Sequence, residues 1–455
     1  MRATDTVNRR MVWGATGVAG AGVLVRLCSA MVGSPWLTVI SDALMILGGG
    51  LAALTALVPA LRPDGAAPTS QAGAAAALKG ATKSDGPARR GKGPEGGGAG
   101  LTGLGPFRVD WLLGVFLGVC ALSVAVCRPN PAFMAVPKLG LFVLMVAAIG
   151  PLVFAEGLCA MRRRLWRLLL WGLRVIVVLS FIVYVVTVIV DVNSSLYDYI
   201  PYADRDGITN ERIMLSAVSA LVAVDALWKA TLAGATPRRE RLWLVALAAA
   251  GVVTMIQAAS RMAVIGCVAA TLYVAVAHRR YILAQRRALV AGVAGATLIL
   301  LLTGVFFSES IMMKVGWDME AGSLFRSRNA LWADRLGEFL DHPVLGLGFH
   351  AFDRCTLPTV DPRWTPDWGP LEPGSSWLTL LSQTGLVGFA TFAAWLVAWL
   401  RRQMRAGHGY TIAIAILLLC NGISEGWLTY TGGIIFLCFW LNASAPGEKA
   451  CNTHN

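Results

Sequence analysis

Long uninterrupted runs of apolar residues, separated by short polar or basic stretches, dominate the chain. Twelve such blocks predict twelve helices, at 11–31, 36–61, 109–128, 132–160, 168–191, 212–233, 242–259, 262–278, 288–307, 376–400, 410–424 and 427–443. Most are apolar all round rather than along one stripe, the pattern of helices that face lipid or fill a bundle. The block at 168–191, rich in Leu, Val and Ile, exceeds the ~20 residues that a membrane crossing takes. The last two blocks are short and predicted to be joined by a tight turn. Between the second and third blocks the pattern stops. Residues 62–108 form a Gly- and Ala-rich loop whose 63–105 stretch carries Lys79, Lys83, Arg89, Arg90 and Lys92 and no aromatic residue. Such a stretch cannot bury enough apolar surface to fold. It reads as a plain flexible loop, with a tether or partner-binding loop as the alternative.

Composition agrees with this pattern. Of 455 residues 56% are apolar and only 14% charged, against about 25% charged in an ordinary soluble domain. Disordered, collagenous, disulfide-stapled and single-core soluble classes are excluded. The fold class expected is an all-α polytopic membrane protein of about twelve spans. The formal net charge of +13 would suggest nucleic acid in a soluble protein; here the positions of the charges decide. Arg9 and Arg10 precede the first block. Arg162, Arg163, Arg164 and Arg167 follow the fourth, and Arg238, Arg239 and Arg241 the sixth. Arg279, Arg280, Arg286 and Arg287 follow the eighth, and Arg401, Arg402 and Arg405 the tenth. Every cluster precedes the first block or follows an even-numbered one, so the positive-inside rule puts both termini in the cytoplasm. The layout expected is then spans at 1–61, the cytoplasmic loop 62–108, spans three to nine at 109–307, a large extracytoplasmic loop at 308–375, the closing spans at 376–443 and a cytoplasmic tail at 444–455. The first block reads as a span rather than a cleavable signal. No internal repeat is visible, which weakens an inverted-repeat transporter reading.

Cysteine offers little. Cys28, Cys120, Cys159, Cys267, Cys420 and Cys438 lie inside blocks, where a thiol behaves as a small hydrophobe. Cys451 is in the tail; Cys355 and Cys127 read as two unrelated thiols rather than a disulfide. No metal or nucleotide motif occurs, so no cofactor and no metal are expected.

The informative residues are basic ones on the outer side, which depart from the charge rule. Arg205, Arg212, Arg326, Arg328, Arg335, Arg354 and Arg363 lie in or beside the outer loops 192–211 and 308–375. Loops tolerate them at little cost. Arg261 differs, because Ser260-Arg261-Met262 stands between two apolar blocks with almost no loop. An Arg at membrane depth is expensive and faces a polar cavity or a partner, or snorkels to the interface. Guanidinium groups at the outer surface suit phosphate or diphosphate, whose oxygens fit their planar fork. Two or three would hold a lipid-linked diphosphate and stabilise the charge that develops as it leaves.

Several stretches then resemble, in order, the O-antigen ligase and O-antigen/exopolysaccharide polymerase superfamily of bacterial membrane glycosyltransferases. Arg205-Asp-Gly207-Ile-Thr-Asn210 resembles the family's R-x-x-G-x-x-x-N segment with shortened spacing, and Ser260-Arg261-Met-Ala its S-R-G-A motif. Arg328-Asn-Ala-Leu-Trp332 and Asp341-His342-Pro343-Val-Leu-Gly346-Leu-Gly348-Phe349 resemble its R-x-x-x-W and h-P-l-x-G-x-G-f run. Ser376-Trp377-Leu378 and Gln383-Thr384-Gly385-Leu386-Val387-Gly388 resemble the strip entering the next span. The likeness covers roughly 195–400 closely.

The resemblance implies a GT-C-like, inverting, metal-independent glycosyltransferase of the bacterial cytoplasmic (inner) membrane. It implies that Arg261 and Arg328 hold the diphosphate of a polyprenyl-diphosphate-linked oligosaccharide, with Arg205 and Asn210 at the rim. Its partners would be that lipid and the bilayer, no nucleic acid, and a chain-length regulator or another polysaccharide-export component. One departure matters. Ligases of the family carry a His-Asn pair, with His as the expected base, where an ungapped alignment puts Gly374 and Ser375. That favours a polymerase, or a ligase-like enzyme with another base, over ligation onto a lipid A core. Glu372, Asp367 and His350 are the replacement candidates, in that order, each balanced against a solvated loop charge or a packing histidine. Trp317, Trp332, Trp364, Trp368 and Trp377 crowd the long loop and its exit, as sugar-stacking platforms or as interface anchors. Arg26, Asp42, Lys138, Glu156, Arg174, Asp225 and Glu425 lie in or at the ends of blocks, where they snorkel, line a cavity or form structural ion pairs. The functional expectation is a polymerase, moving a growing glycan to the sugar hydroxyl of another lipid-linked repeat unit at the outer face. The alternatives are a ligase with a lipid, protein or cell-wall acceptor, and a transporter or flippase of lipid-linked sugars.

Overall fold

The computed structural model describes residues 2–32, 34–57, 108–191, 208–209, 212–232, 237–258, 260–279, 326–353 and 374–444. Among them are twelve α-helices. In chain order they are α1 (Arg2–Val32), α2 (Pro35–Leu57), α3 (Trp111–Cys127), α4 (Ala135–Ala148), α5 (Glu156–Asp191) and α6 (Arg212–Ala230), then α7 (Arg238–Gln257), α8 (Arg261–Ala277), α9 (Arg326–Asp341), α10 (Ser376–Ala406), α11 (Gly409–Asn421) and α12 (Ile434–Ser444). Six are long and apolar enough to cross a membrane, and five shorter ones are apolar too. The remaining helix, α9, is polar and lies between spans. The protein is an all-α polytopic membrane protein. The block at 288–307 and nearly all of the 62–108 loop lie outside the described residues.

The core is built around α12. All eleven of its residues are buried, and at 1.5 Å per residue it is only about 17 Å long, too short to span a ~30 Å hydrocarbon layer alone. Enclosed by its neighbours, it need not face lipid. Trp440 stacks on Trp395 with ring centroids 5.5 Å apart, and Trp395 on Trp399 at 6.2 Å. The Trp399 indole donates to the carbonyl of Ala443 at 3.0 Å, tying α10 to the end of α12.

Two boundaries differ from the sequence reading, each for a visible reason. The block at 132–160 is not one helix: α4 ends at Ala148, a turn follows, and α5 begins at Glu156. Arg162, fully buried, donates Nε to the carbonyl of Ala148 (2.9 Å), Nη2 to Ala147 (2.6 Å) and Nη1 to Val153 (2.7 Å). It satisfies carbonyls that a helix end leaves without partners. Arg162 thus caps a helix, where its place in a basic cluster had suggested only orientation. The two-residue strands β1 (Arg108–Val109) and β2 (Val153–Phe154) pair antiparallel beside it. At the other boundary, α12 begins at Ile434 rather than 427, so residues 422–433 form a longer connection than a tight turn.

Contacts between helix ends show that the described basic clusters gather at one end of the bundle. The Arg164 guanidinium lies 3.8 Å over the Trp13 ring, joining the starts of α1 and α5. Arg402 near the end of α10 pairs with Asp110, which caps the start of α3, at 2.6 Å. Buried Asp225 receives Arg174 (2.6 Å), Lys229 (2.7 Å) and the Tyr410 hydroxyl (2.8 Å), joining α5, the end of α6 and the start of α11. His278, just past α8, stacks on Trp228 at 4.4 Å. At the opposite end, buried Arg26 of α1 pairs with Asp42 of α2 and donates to the carbonyl of Thr431 at 2.9 Å. The intramembrane charges Arg26, Asp42, Arg174 and Asp225 are therefore members of ion pairs.

Candidate functional site

The end opposite the basic clusters is organised by a break in α10. Gly385 has φ 62° and ψ −170°, a non-helical conformation inside the helix. A helix interrupted in this way leaves donors and acceptors that must be satisfied by other protein. The segment 343–348 satisfies them. Leu386 and Val387 donate to the carbonyls of Pro343 (2.9 Å) and Val344 (3.3 Å). Leu347 and Gly348 donate to those of Ser382 (2.9 Å) and Gln383 (3.0 Å). From α3, the Ser123 hydroxyl reaches the carbonyls of Leu345 (2.6 Å) and Gln383 (3.0 Å), and the Cys127 thiol that of Gly346 (3.0 Å). Close approach demands glycine: a Cβ on Gly346 would lie 2.4 Å from the Gln383 carbonyl carbon, and one on Gly385 2.2 Å from the Val344 oxygen. The P-V-L-G-L-G run is thus a backbone splice, a role that its place in a motif did not reveal.

Beside the splice, three segments meet. Arg328, in the first turn of α9, forms an ion pair with Glu425 at 2.8 Å. Glu425 also accepts from the Ser424 hydroxyl at 3.2 Å. The Ser376 amide, at the start of α10, donates to the carbonyls of Gly422 (2.8 Å) and Glu425 (3.0 Å). The Ser376 hydroxyl donates to the Glu425 carbonyl (2.6 Å) and accepts from the amides of Trp427 (3.1 Å) and Leu428 (3.2 Å). Ser375 caps α10, accepting from Leu378 at 3.3 Å. The Trp332 indole donates to the carbonyl of Gly374 at 3.0 Å, and that of Trp377 to Leu419 at 3.2 Å. Both tryptophans, read from sequence as sugar platforms or interface anchors, fasten α9 to the start of α10 and α10 to α11.

Gly374 precedes the N-cap residue of α10. Its φ is +72°, and an added Cβ would lie 2.7 Å from the Leu331 Cβ. This is a glycine position on both counts, so the slot that resembles the family's base has no room for a side chain.

Arg261 is the first residue of α8, behind the buried N-cap Ser260. A Cβ on Gly266 would meet the Leu417 carbonyl at 2.8 Å and the Cys420 Cβ at 3.2 Å, while the far end of α8 adjoins the start of α11 through His278, Trp228 and Tyr410. The helices α8 and α11 are therefore antiparallel, and Arg261 stands at the end where α11 gives way to Gly422–Glu425. Arg261 and Arg328 thus belong to the same end of the bundle, where α8, α9 and α10 all start. Helix N-termini carry partial positive charge, so backbone and side chains both favour an anion here.

His350 lies just after the splice. Its φ is +62° and its Nε2 is 3.1 Å from the carbonyl of Thr429. Burial, helped by nearby Lys138, lowers the imidazole to about 4, which makes it a poor proton acceptor. Arg205, Asn210, Asp367 and Glu372 lie outside the described residues, as do Trp317, Trp364, Trp368 and Cys355. The residue that sequence reasoning undervalued is Glu425, left there with a cavity-lining and a structural role. An acidic residue at the turn between two apolar blocks, on the same side as Arg261 and Arg328, was the available signal.

A polytopic helical membrane protein with an interrupted span, and with Arg261 and the Arg328–Glu425 pair at one end, is the class these features define. Residues 243–393 match the family model described as O-antigen ligase. The match supports the O-antigen ligase/polymerase superfamily and its glycan transfer, and it spans α7 to the middle of α10 with Arg261, Arg328 and the splice inside. No curated protein matches the chain.

Proposed function

We propose that the chain is a polysaccharide polymerase, with Arg261 and Arg328 holding the diphosphate of a polyprenyl-linked glycan. The supporting observation is the convergence of Arg261, the Arg328–Glu425 pair and the starts of α8, α9 and α10 at one end of the bundle. In the reaction the bond between anomeric carbon and diphosphate oxygen breaks as the acceptor hydroxyl oxygen attacks from the opposite face. The hydroxyl proton passes to a carboxylate, and polyprenyl diphosphate leaves with its charge met by the guanidinium groups. Glu425 orients the Arg328 fork; Glu372 and Asp367 are the carboxylates assigned to the acceptor side. The basic end lies in the cytoplasm with both termini, by the positive-inside rule, and the site faces outward from a bacterial cytoplasmic membrane.

A ligase is the second reading, because the matching model is described as O-antigen ligase. The glycine geometry at Gly374 favours the polymerase over a ligase that draws its base from that slot. Chain-length analysis of the glycan separates them. Loss of a polymerase leaves single repeat units, whereas loss of a ligase leaves long polymer on its carrier. Arg261→Ala and Arg328→Ala are expected to insert normally and make no polymer; full-length polysaccharide from both variants would refute the site. Lipid-linked substrate building up on the inner leaflet of a deletion strain would point to a transporter instead.

A further inference from the structure

A groove between α3 and α4 is left unused by the transfer reading. Its volume is about 730 Å³, and its walls are apolar, formed by Ala121, Val124 and Ala125 on one side and Val136 and Leu139 on the other. Arg128 is the one charged residue in its described lining. The corner has a set shape. Arg128 (φ 47°) and Met134 (φ 51°), both on the lining, are two of the three described non-glycine residues with positive φ, a backbone state uncommon outside glycine. The Arg128 amide closes α3 on the carbonyl of Val124.

The groove adjoins the site but lies on another flank. Its helix α3 runs along α10, with Phe116 and Phe392 rings 5.2 Å apart, and carries the Ser123 bond into the splice. Arg261, in contrast, heads α8, which packs on α11. Pro129 of the groove is the residue that a Cβ on Gly348 would meet, at 3.0 Å. Next to it the Phe133 ring lies 6.5 Å from Phe352, whose face carries the Arg335 guanidinium at 4.4 Å. Arg335 shares a helix face with Arg328, seven residues or about 10 Å away along α9. Through Phe352 and Arg335 the corner that bears the groove therefore packs on α9, the helix that carries Arg328.

Polymerisation needs two lipid-linked molecules at the site together, and Arg261 with Arg328 accounts for one. A second needs its own apolar trough and its own cation. We infer that the α3–α4 groove holds the isoprenoid chain of the acceptor lipid, with Arg128 at its mouth on the phosphate. The inference rests on the transfer reading given above for the identity of the lipid. Apolar walls suit the hydrocarbon, and one guanidinium suits the phosphate oxygens.

The test uses the full chain in nanodiscs and a polyprenyl monophosphate carrying a diazirine near its phosphate end, with labelled peptides mapped by mass spectrometry. Label is expected within 121–139. It should fall at least five-fold in Ala125→Trp, which fills the groove. A similar fall is expected in Arg128→Gly, which removes the cation and suits the left-handed backbone. A phosphatidylglycerol probe with the same diazirine should label the segment weakly. No label in 121–139, or equal labelling by phosphatidylglycerol, overturns the inference. In turnover, both variants should raise KM for the acceptor and leave KM for the donor unchanged; unchanged acceptor KM also overturns it. The probe carries no glycan, so groove labelling is read without turnover and the two readings fail separately.

Discussion

Replacing Gly385 with Ala tests whether the splice organises this end of the bundle. At φ 62° and ψ −170° the residue occupies a region open essentially to glycine, and a side chain there costs roughly 1–3 kcal/mol. The new Cβ would stand 2.2 Å from the Val344 oxygen and 2.3 Å from its carbonyl carbon. Both are backbone atoms, so relief means shifting the 343–348 segment, an overpacking cost of roughly 1–3 kcal/mol more. Straightening α10 instead would break the four bonds that join Leu386, Val387, Leu347 and Gly348 to the facing strand of chain. At about 1 kcal/mol net for each bond, that route costs about as much. The expected destabilisation is therefore about 4 kcal/mol by either route.

Gly407 supplies the control. It too has positive φ, 73° with ψ 23°, but a Cβ there meets nothing within 4 Å. Ala at that position should cost only about 1 kcal/mol for its left-handed backbone. Thermal unfolding of the two variants in the same detergent, followed by loss of the monodisperse fraction, should show a Tm drop several times larger for Gly385→Ala. Equal drops would mean that the close approach to Val344 carries no energy and that the splice reasoning is wrong.

Three further outcomes follow from the same geometry. Arg162→Met leaves three carbonyls without their buried donor, at roughly 1–3 kcal/mol each; folded yield should collapse, while Arg163→Met stays near wild type. Arg328→Lys keeps the charge but loses the fork that engages Glu425, so transfer should fall about tenfold or more, ~1.4 kcal/mol, with insertion intact. Normal polymer from the Lys variant would remove Arg328 from the site. For His350, burial lowers the folded imidazole to about 4, below the usual 6.5. The unfolded chain therefore takes up the proton first as pH falls, and stability is lost between about pH 6.5 and pH 4, by at most about 3.5 kcal/mol. His350→Asn, which tolerates the left-handed backbone, should flatten that part of the pH–stability profile.

The spans were legible because lipid-facing and bundle-filling helices leave the same unbroken apolar runs. What the runs could not show was how a polar group is used once packed. Arg162 reads like its neighbours Arg163 and Arg164, yet only it turns inward to cap α4. Gly385 reads as an ordinary glycine inside an apolar helix, because the atom that excludes a side chain belongs to Val344, forty-one residues earlier. Glu425 is separated from Arg328 by 97 residues, a pairing that no local pattern encodes. The clustering of basic residues was visible in sequence; contacts that close over long separations were not.

The splice also bears on the chemistry. Arg328 lies on α9 and Ser376, which holds the Glu425 backbone, begins α10; the chain between them passes through residues 354–373, outside the described segments. What registers α9 against α10 among the described residues is the 343–348 segment lodged in the α10 break, together with the Trp332 bond to Gly374. In the proposed transfer, placing a guanidinium to within a hydrogen bond of a departing diphosphate would demand rigid support for the side chain that carries it. Glycines at 346 and 385 supply that support by letting two backbones meet where any Cβ would hold them apart. The arginines carry the charge, and the glycines set where it stands.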